Sequence, residues 1–289
     1  MKKISYYIEG VKTGRISLKN VLKYYKTKYR DKKFSKLKHP NVETLYGTKM
    51  YLNPKDNIIS KYLYGNKCWE PLETEFFKKI ISEGMQVIDI GANIGYFSIL
   101  FSKWVGDNGK VFAFEPDPEN YELLIKNIQA NKCTNISPIK KAVSNYDGKT
   151  FLFLSDENIG DHRIFDANIF PGDEIRNKIE IESIRLDSFF LPEQEIDLIK
   201  MDIQGSEMLA LEGMNQILSR NHKIFLFTEF WPIAIEKSGR SPKEYLEKLH
   251  QLGFKIYSLN KNEKITISSY DFDEKNYGSK FINLICEKK

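Results

Sequence analysis

The stretch VIDIGANIGYFS, residues 87–98, sets an acid, Asp89, ahead of a turn built from Gly91, Asn93 and Gly95. A turn needs one glycine. Two, flanking an asparagine, let a ligand approach the backbone closely, and a helix starting there presents unsatisfied N–H groups. The spacing is G-x-N-x-G, not the G-x-G-x-x-G of dinucleotide sites, and Asp89 would repel a pyrophosphate while attracting a cation. Glu115 lies 24 residues after Gly91, at the end of VFAFE, where an acid accepts both hydroxyls of a ribose. Pro116 would then turn the chain and Asp117 cap the next helix. Together these residues point to a nucleoside-bearing ligand with a cationic, amino-acid-bearing sulfonium end, and away from a nicotinamide dinucleotide.

Such residues need a frame that gathers strand ends. Strand-like runs at 85–90, 110–115, 136–143, 196–202 and 222–229 alternate with helical patterns at 94–104, 117–131, 206–220 and 241–252. That rhythm predicts a mostly parallel sheet with helices on both faces, whose ligands sit beyond the carboxyl ends of the strands. Runs at 254–259 and 281–286 predict a closing antiparallel pair. PLETEFFKKIISEG predicts a helix with Pro71 in its first turn and Gly84 just past its end. Between 144 and 195 the rhythm breaks. FLFLS and KIEIESIRL read as strands, and the long polar DENIGDHRIFDANIFPGDE between them reads as a functional loop.

The chain has 289 residues, 41% hydrophobic and 29% charged, as expected of a globular protein in water. It has no apolar run of membrane-spanning length, and MKKISYYIEG lacks the apolar core of a secretory signal. Three scattered cysteines without metal-ligand spacing predict free thiols in a reducing cytoplasm. Charge is uneven. Residues 1–40 hold 13 Lys and Arg against two acids, whereas the remainder holds 31 against 37. The arm predicts helix, with Leu18, Val21, Leu22 and Tyr25 on one face and lysines on the other. Its stripe would pack on the body, or its lysines and tyrosines would meet a phosphate-bearing partner such as an anionic membrane. Residues 41–70 predict a small β element. The chain thus divides into an arm and β element over 1–70 and a main domain over 71–289.

VIDIGANIGYFS, VFAFEPDP, KAVSNYDG and IDLIKMDIQGSEMLALEGM, in this order between about residues 65 and 231, resemble the FkbM family of S-adenosylmethionine-dependent methyltransferases. The resemblance implies a class I, Rossmann-like α/β fold with a seven-stranded, mostly parallel sheet, here with a basic helical N-terminal extension. It implies methyl transfer from S-adenosylmethionine to a hydroxyl of a sugar, glycan, glycolipid or related small molecule. Gly91, Ala92, Asn93, Gly95 and Tyr96 would meet the methionine end of the cofactor, with Asp89 supporting the turn. Glu115 would bind the ribose, Pro116 and Asp117 would border the adenine, and Ala142, Val143 and Ser144 would line its pocket. Asp202 would face donor and acceptor. Many members carry DVEG where this chain has DIQG, so Gln204 replaces an acid that could serve as base or metal ligand.

The donor is already activated, so the protein must align an oxygen and remove its proton. His162, between Asp161 and Arg163, suits that task; equally, it could be a loop histidine satisfied by Asp161. Arg163 would hold an acidic acceptor or pair with Glu174. The alternative base is Asp202, with Glu207 or Glu229 assisting. Few further acids stand beside Asp202, so a metal-independent reaction is expected. Trp231 would stack on a sugar, face the sulfonium, or simply fill the core. Two other function classes remain in view: an RNA ribose 2′-O-methyltransferase, and a non-catalytic module of the same fold. The expected location is cytoplasmic or membrane-peripheral.

Overall fold

In the computed structural model, residues 17–155, 160–166, 176–259, 264–266 and 281–288 are described. The basic arm forms helix α1 (Leu18–Phe34). A hairpin follows, β1 (Asn41–Glu43) with β2 (Lys49–Tyr51), then α2 (Ile59–Asn66) and α3 (Pro71–Ile80). Pro71 opens α3 as expected. The helix stops at Ile80, short of Gly84, which takes φ +87° in the turn before the next strand.

From β3 (Gln86–Ile90) the chain alternates: α4 (Tyr96–Val105), β4 (Lys110–Phe114), α5 (Pro118–Ala130) and β5 (Ile136–Ile139). The run expected as one strand at 136–143 breaks after β5. Its end, β6 (Ala142–Val143), joins a separate three-stranded sheet with β7 (Gly148–Phe153) and β8 (Lys178–Ile184). After the short α6 (Leu186–Phe189) comes β9 (Leu198–Met201). The helix expected over 206–220 is two, α7 (Glu207–Gly213) and α8 (Asn215–Arg220). The cause of the break is tertiary. The Asp187 carboxylate accepts the N–H groups of Gln216 and Ile217 at 3.0 and 2.9 Å, which caps a second helix from outside. Next come β10 (Ile224–Phe230), α9 (Pro232–Lys237), α10 (Pro242–Gln251), β11 (Lys255–Leu259), β12 (Lys264–Thr266) and β13 (Ile282–Lys288).

The main sheet runs β12-β11-β13-β10-β9-β3-β4-β5. Its five central and edge strands β5, β4, β3, β9 and β10 are mutually parallel, and β13 lies antiparallel between β10 and β11. These are the expected seven strands, with β12 hairpinned onto β11 as an eighth. Central strands read as unbroken apolar runs because helices cover both faces. One face packs Ile88, Ile199 and Leu226 under α7, α8 and α10. The other packs Val87, Leu198 and Phe227 under α3 and α4, where Phe77 meets Phe227 at 4.7 Å and Phe101 at 4.9 Å between ring centroids.

The arm docks differently from its sequence pattern. Leu22 is 54% exposed and Tyr25 38%, so these two members of the predicted stripe do not pack on the body. The contact comes from the C-terminal half of α1. Phe34 is buried against Tyr64, Asp31 faces Lys61 at 3.7 Å, and the Arg30 guanidinium lies where a Cβ on Gly65 would be. Among the described residues no helix is long and apolar enough to cross a membrane.

Candidate active site

The turn after β3 is held from both sides. The N–H groups of Gly91 and Ala92 both donate to the Phe114 carbonyl, at 3.0 and 2.9 Å. Gly91 has φ +78°, and a Cβ there would stand 2.1 Å from the Asp202 carbonyl oxygen. Only glycine satisfies both conditions. Gly95, at φ +89°, meets Leu124 of α5 in the same way. Asn93 takes φ +50°, a conformation asparagine tolerates. Its N–H donates to Glu115 Oε2 at 2.7 Å, while the Asp117 N–H donates to Glu115 Oε1 at 2.9 Å. Asp117 Oδ1 caps α5 by accepting the Asn120 N–H at 2.8 Å. Two backbone donors thus fix the Glu115 carboxylate and leave it lone pairs for a diol. Burial pushes its pKa up to about 8; the nearby Asp117 and Asp89 charges add to the rise and the two backbone donors oppose it.

A cleft of about 660 Å³ opens beyond these strand ends. Gly91, Asn93, Glu115 and Pro116 form one wall, Ala142 and Val143 another, and Asp202, Gln204 and His162 close it. Leu152 and Ile164 add apolar surface from the small sheet and the loop after it. Ala92, Tyr96 and Ser144 are buried outside this wall; the Tyr96 hydroxyl faces Thr74 and Cys68 instead. Asp89 is fully buried. Its Oδ2 accepts Ser98 Oγ at 2.6 Å, and Oδ1 stands 3.6 Å from Lys200 Nζ. The cation that Asp89 faces is therefore this chain's own Lys200, which corrects the expectation of a ligand cation.

Lys200 is the register partner of Asp89 across β9 and β3, and of Phe227 across β10. Alternation puts Asp89, Lys200, Phe227 and Glu229 on one sheet face, with Asp202 two residues beyond Lys200. The Lys200 ammonium lies 4.0 Å from Asp202 Oδ2 and 5.2 Å from the Phe97 ring centroid. Burial opposes its charge, yet the acids Asp89, Asp202 and Glu70 raise its pKa overall. Gln204, at φ +54°, turns its amide back between two acids and donates to Asp202 Oδ1 at 2.8 Å and Glu229 Oε2 at 3.0 Å. Burial, then repulsion by Asp202, raises Glu229 well above the ordinary carboxylate range, and the same two causes lift Glu70 to about 8. Glu207, fully buried, accepts the Ile203 N–H at 3.2 Å and braces the turn from within. Among the described residues no three His, Cys, Asp or Glu side chains converge as a metal-ligand set.

His162 sits at the opposite end of the cleft. Its Nδ1 accepts the Ser155 N–H at 3.0 Å and its Nε2 stands 3.8 Å from Asp117 Oδ2. Burial lowers its pKa, with Asp117 pulling the other way. In the neutral ring the lone pair at Nδ1 is already engaged, and Nε2 carries the proton. Asp117 follows β4 and Asp202 follows β9, with β3 between, so about 10 Å separates the two ends. Asp161 is committed to two arginines, to Arg163 at 2.8 Å and to Arg176 at 2.7 Å. The Arg163 guanidinium covers the Trp231 ring at 5.1 Å. Arg163 thus spends itself on Asp161 and Trp231; Glu174, its other expected partner, lies outside the described residues.

The sequence profile of the methyltransferase FkbM domain matches residues 89–256, more than half of the chain. The chain belongs to the FkbM methyltransferase family. A second profile, that of protein-L-isoaspartate(D-aspartate) O-methyltransferase, matches residues 14–149. The Hexuronic acid methyltransferase AglP of Haloferax volcanii is 26% identical over 62% of this chain and 68% of its own length. Methyltransferase sdnD of Sordaria araneosa is 26% identical over 45% of this chain and 60% of its own. The tRNA(Phe) (4-demethylwyosine(37)-C(7)) aminocarboxypropyltransferase of Methanocaldococcus jannaschii is 33% identical over 35% and 41%. The chain therefore spans 41% to 68% of the length of these relatives.

As an FkbM methyltransferase it uses S-adenosylmethionine as cofactor, and the residues present fit that molecule. Gly91 and Asn93 bring the turn to the cleft wall, Glu115 offers oriented acceptors to a ribose, and Ala142, Val143 and Leu152 offer an apolar slot to a base. Two charged residues that face Asp202 escape the sequence reading. Lys200 had a signal, a lysine inside the apolar LIKMD two residues before Asp202. Glu70, at the N-cap of α3 with φ +42°, had none.

Proposed function

We propose that the chain is an S-adenosylmethionine-dependent O-methyltransferase that acts, without a metal, on a hydroxyl of a sugar, glycan or glycolipid. One observation carries the reading: of Asp202, Glu207, Glu229 and Glu70, Asp202 alone lines the cofactor cleft, against the backbone of Gly91. The cofactor supplies a methyl group on a sulfonium that needs no further activation. Asp202 would take the proton given up by the acceptor hydroxyl, whose oxygen would receive the methyl as its bond to sulfur breaks and S-adenosylhomocysteine leaves. Gln204 holds Oδ1 and Lys200 faces Oδ2, so both oxygens keep their positions. A third of the Asp202 side chain is exposed, which gives the proton a way out to solvent. Glu229, whose pKa burial raises, anchors the other side of the Gln204 amide. His162 serves the nucleoside end beside Asp117 and not the base position, because its one lone pair is taken. A relative whose printed activity is on hexuronic acid supports a saccharide acceptor.

The test pairs calorimetry of S-adenosylhomocysteine binding with product mass on saccharide acceptors. Asp202→Asn should keep cofactor affinity and lose about 10²–10⁴ in kcat. His162→Ala should weaken cofactor binding and leave most of kcat. Turnover that survives in Asp202→Asn and vanishes in His162→Ala would move the base to His162.

A further inference from the structure

Outside the cofactor cleft a second opening, a groove, runs between α1, α2 and the start of α3, closed at its inner end by the start of β13. Three connections tie it to the reaction centre. Ile58 lines the groove while Ile59, the next residue, lines the cofactor cleft. Asn283 lines the groove and is the register partner of Glu229 across β13 and β10. Glu70 lines it too, and interacts electrostatically with Asp202, Glu229 and Lys200. The groove therefore begins where the acceptor oxygen must lie and leads outward along the arm.

Its lining changes character along the way. Near the centre stand amide and carboxyl groups, with Asn283 Nδ2 donating to Glu73 Oε1 at 3.0 Å. Farther out come rings: Trp69, set edge to face with Tyr62 at 5.4 Å, and Phe281, 56% exposed. Flat apolar faces with polar edges nearby suit the C–H faces of pyranose rings. At the outer wall stand Lys23, Arg30 and Lys61, with Asp31 the one acid among them. Asp31 is shared between Arg30 at 3.4 Å and Lys61 at 3.7 Å, so its charge is spent twice over. Arg30 Nε is buried and has no hydrogen-bond partner among the described residues. Gly65 leaves the space in which this guanidinium lies. A third of the Arg30 side chain is exposed at the groove, and a guanidinium held in place there offers N–H groups to an oxyanion.

We infer that this groove is the acceptor site and takes an extended saccharide bearing negative charge, its sugar faces on Trp69 and Phe281 and its oxyanion on Arg30. The inference rests on the proposed O-methylation of a saccharide and gives the basic arm a role in acceptor recognition. Carboxylate and phosphate would both satisfy Arg30.

The test is calorimetry on the full chain, with and without saturating S-adenosylhomocysteine. The probes are a hexuronate tetrasaccharide, the neutral glucose tetrasaccharide and a phosphate-bearing saccharide of equal length. At least one anionic probe should bind ten-fold or more tighter than the neutral one, and the tighter of the two names the oxyanion. Arg30→Ala should remove that preference, Phe281→Ala should weaken all three probes, and neither should alter S-adenosylhomocysteine affinity. Lys23→Ala, at an exposed position, should lower anionic binding a few-fold without disturbing the fold. Equal binding of charged and neutral probes overturns the inference, as does unchanged affinity in Arg30→Ala and Phe281→Ala together. Absence of S-adenosylhomocysteine binding overturns the proposed reaction instead, and leaves the saccharide titration of the cofactor-free chain to judge the groove.

Discussion

Replacing Gln204 by glutamate tests how the acids at the centre are held together. The wild-type amide donates to Asp202 Oδ1 and Glu229 Oε2 at 2.8 and 3.0 Å. In Gln204→Glu a third carboxyl stands between them, and it can donate one hydrogen bond only while protonated. One charge-assisted bond is lost outright, about 1.5–3 kcal/mol. The proton adds a pH-dependent cost. Below about pH 4.3 the new carboxyl is protonated in both folded and unfolded chains and adds nothing. Above that, the folded state must retain a proton that the unfolded chain has released, so destabilisation grows with pH until the raised folded pKa is reached. At about 1.4 kcal/mol per pH unit this amounts to about 1 kcal/mol at pH 5 and about 3.7 kcal/mol at pH 7. Asp202 keeps a third of its side chain exposed, and solvent screening cuts the increment between the two pH values to about 1.5–2.5 kcal/mol. At about 2–4 °C per kcal/mol, the Tm gap between variant and wild type should widen by about 3–10 °C from pH 5 to pH 7. Gln204→Met, uncharged and of similar length, gives the baseline for lost donors. Thermal melts followed by circular dichroism at both pH values decide it. A gap that stays constant between pH 5 and pH 7 would refute the idea that these carboxylates lie within repulsive reach.

Three further outcomes follow from the site. Lys200→Met strands Asp89, fully buried with only Ser98 left as partner, and should cost about 3–5 kcal/mol in urea unfolding; adding Asp89→Asn should recover much of it. Gly91→Ala combines a left-handed φ with a 2.1 Å approach to the Asp202 carbonyl, and should lower Tm and abolish S-adenosylhomocysteine binding by calorimetry. Glu115, with its pKa pushed up to about 8, must ionise to accept two ribose hydroxyls. Cofactor affinity should therefore rise up to ten-fold per unit from pH 6 to about pH 8 and then level, with proton release on binding, and Glu115→Gln should flatten that profile.

The cofactor half of the site was legible because its signals are local. Strand, glycine turn and helix are contiguous in VIDIGANIGYFS, and Glu115 sits at a strand tip whatever the fold does elsewhere. The sheet was legible for the same reason, since covered parallel strands announce themselves as apolar runs. Around Asp202 the reading was partial: Gln204 and Glu229 were expected there and meet through one amide, but their cationic neighbour was missed. Lys200 meets Asp89 only because β9 lies beside β3, a neighbour relation between segments 111 residues apart. Sequence adjacency paired His162 with Asp161, whereas folding gives Asp161 to two arginines and sets His162 against Asp117. The split of the 206–220 helix came from Asp187, a cap that no local pattern encodes. Of the stripe expected on α1, Leu22 and Tyr25 face outward while Phe34 and Arg30 make the contact with the body; the side chains of Leu18 and Val21 lie outside the described residues.

The bare contact between Gly91 and the Asp202 carbonyl has a consequence for how such an enzyme diversifies. With no side chain between them, the glycine turn and the strand end bearing Asp202 cannot shift independently; under the proposed mechanism the distance from methyl to base is inherited as a fixed span. The walls of the outer groove come instead from α1, α2 and the start of β13, none of which contributes to that span. With the groove as the proposed acceptor site, new acceptors can be explored by altering peripheral segments alone, while the reacting geometry is passed on unchanged.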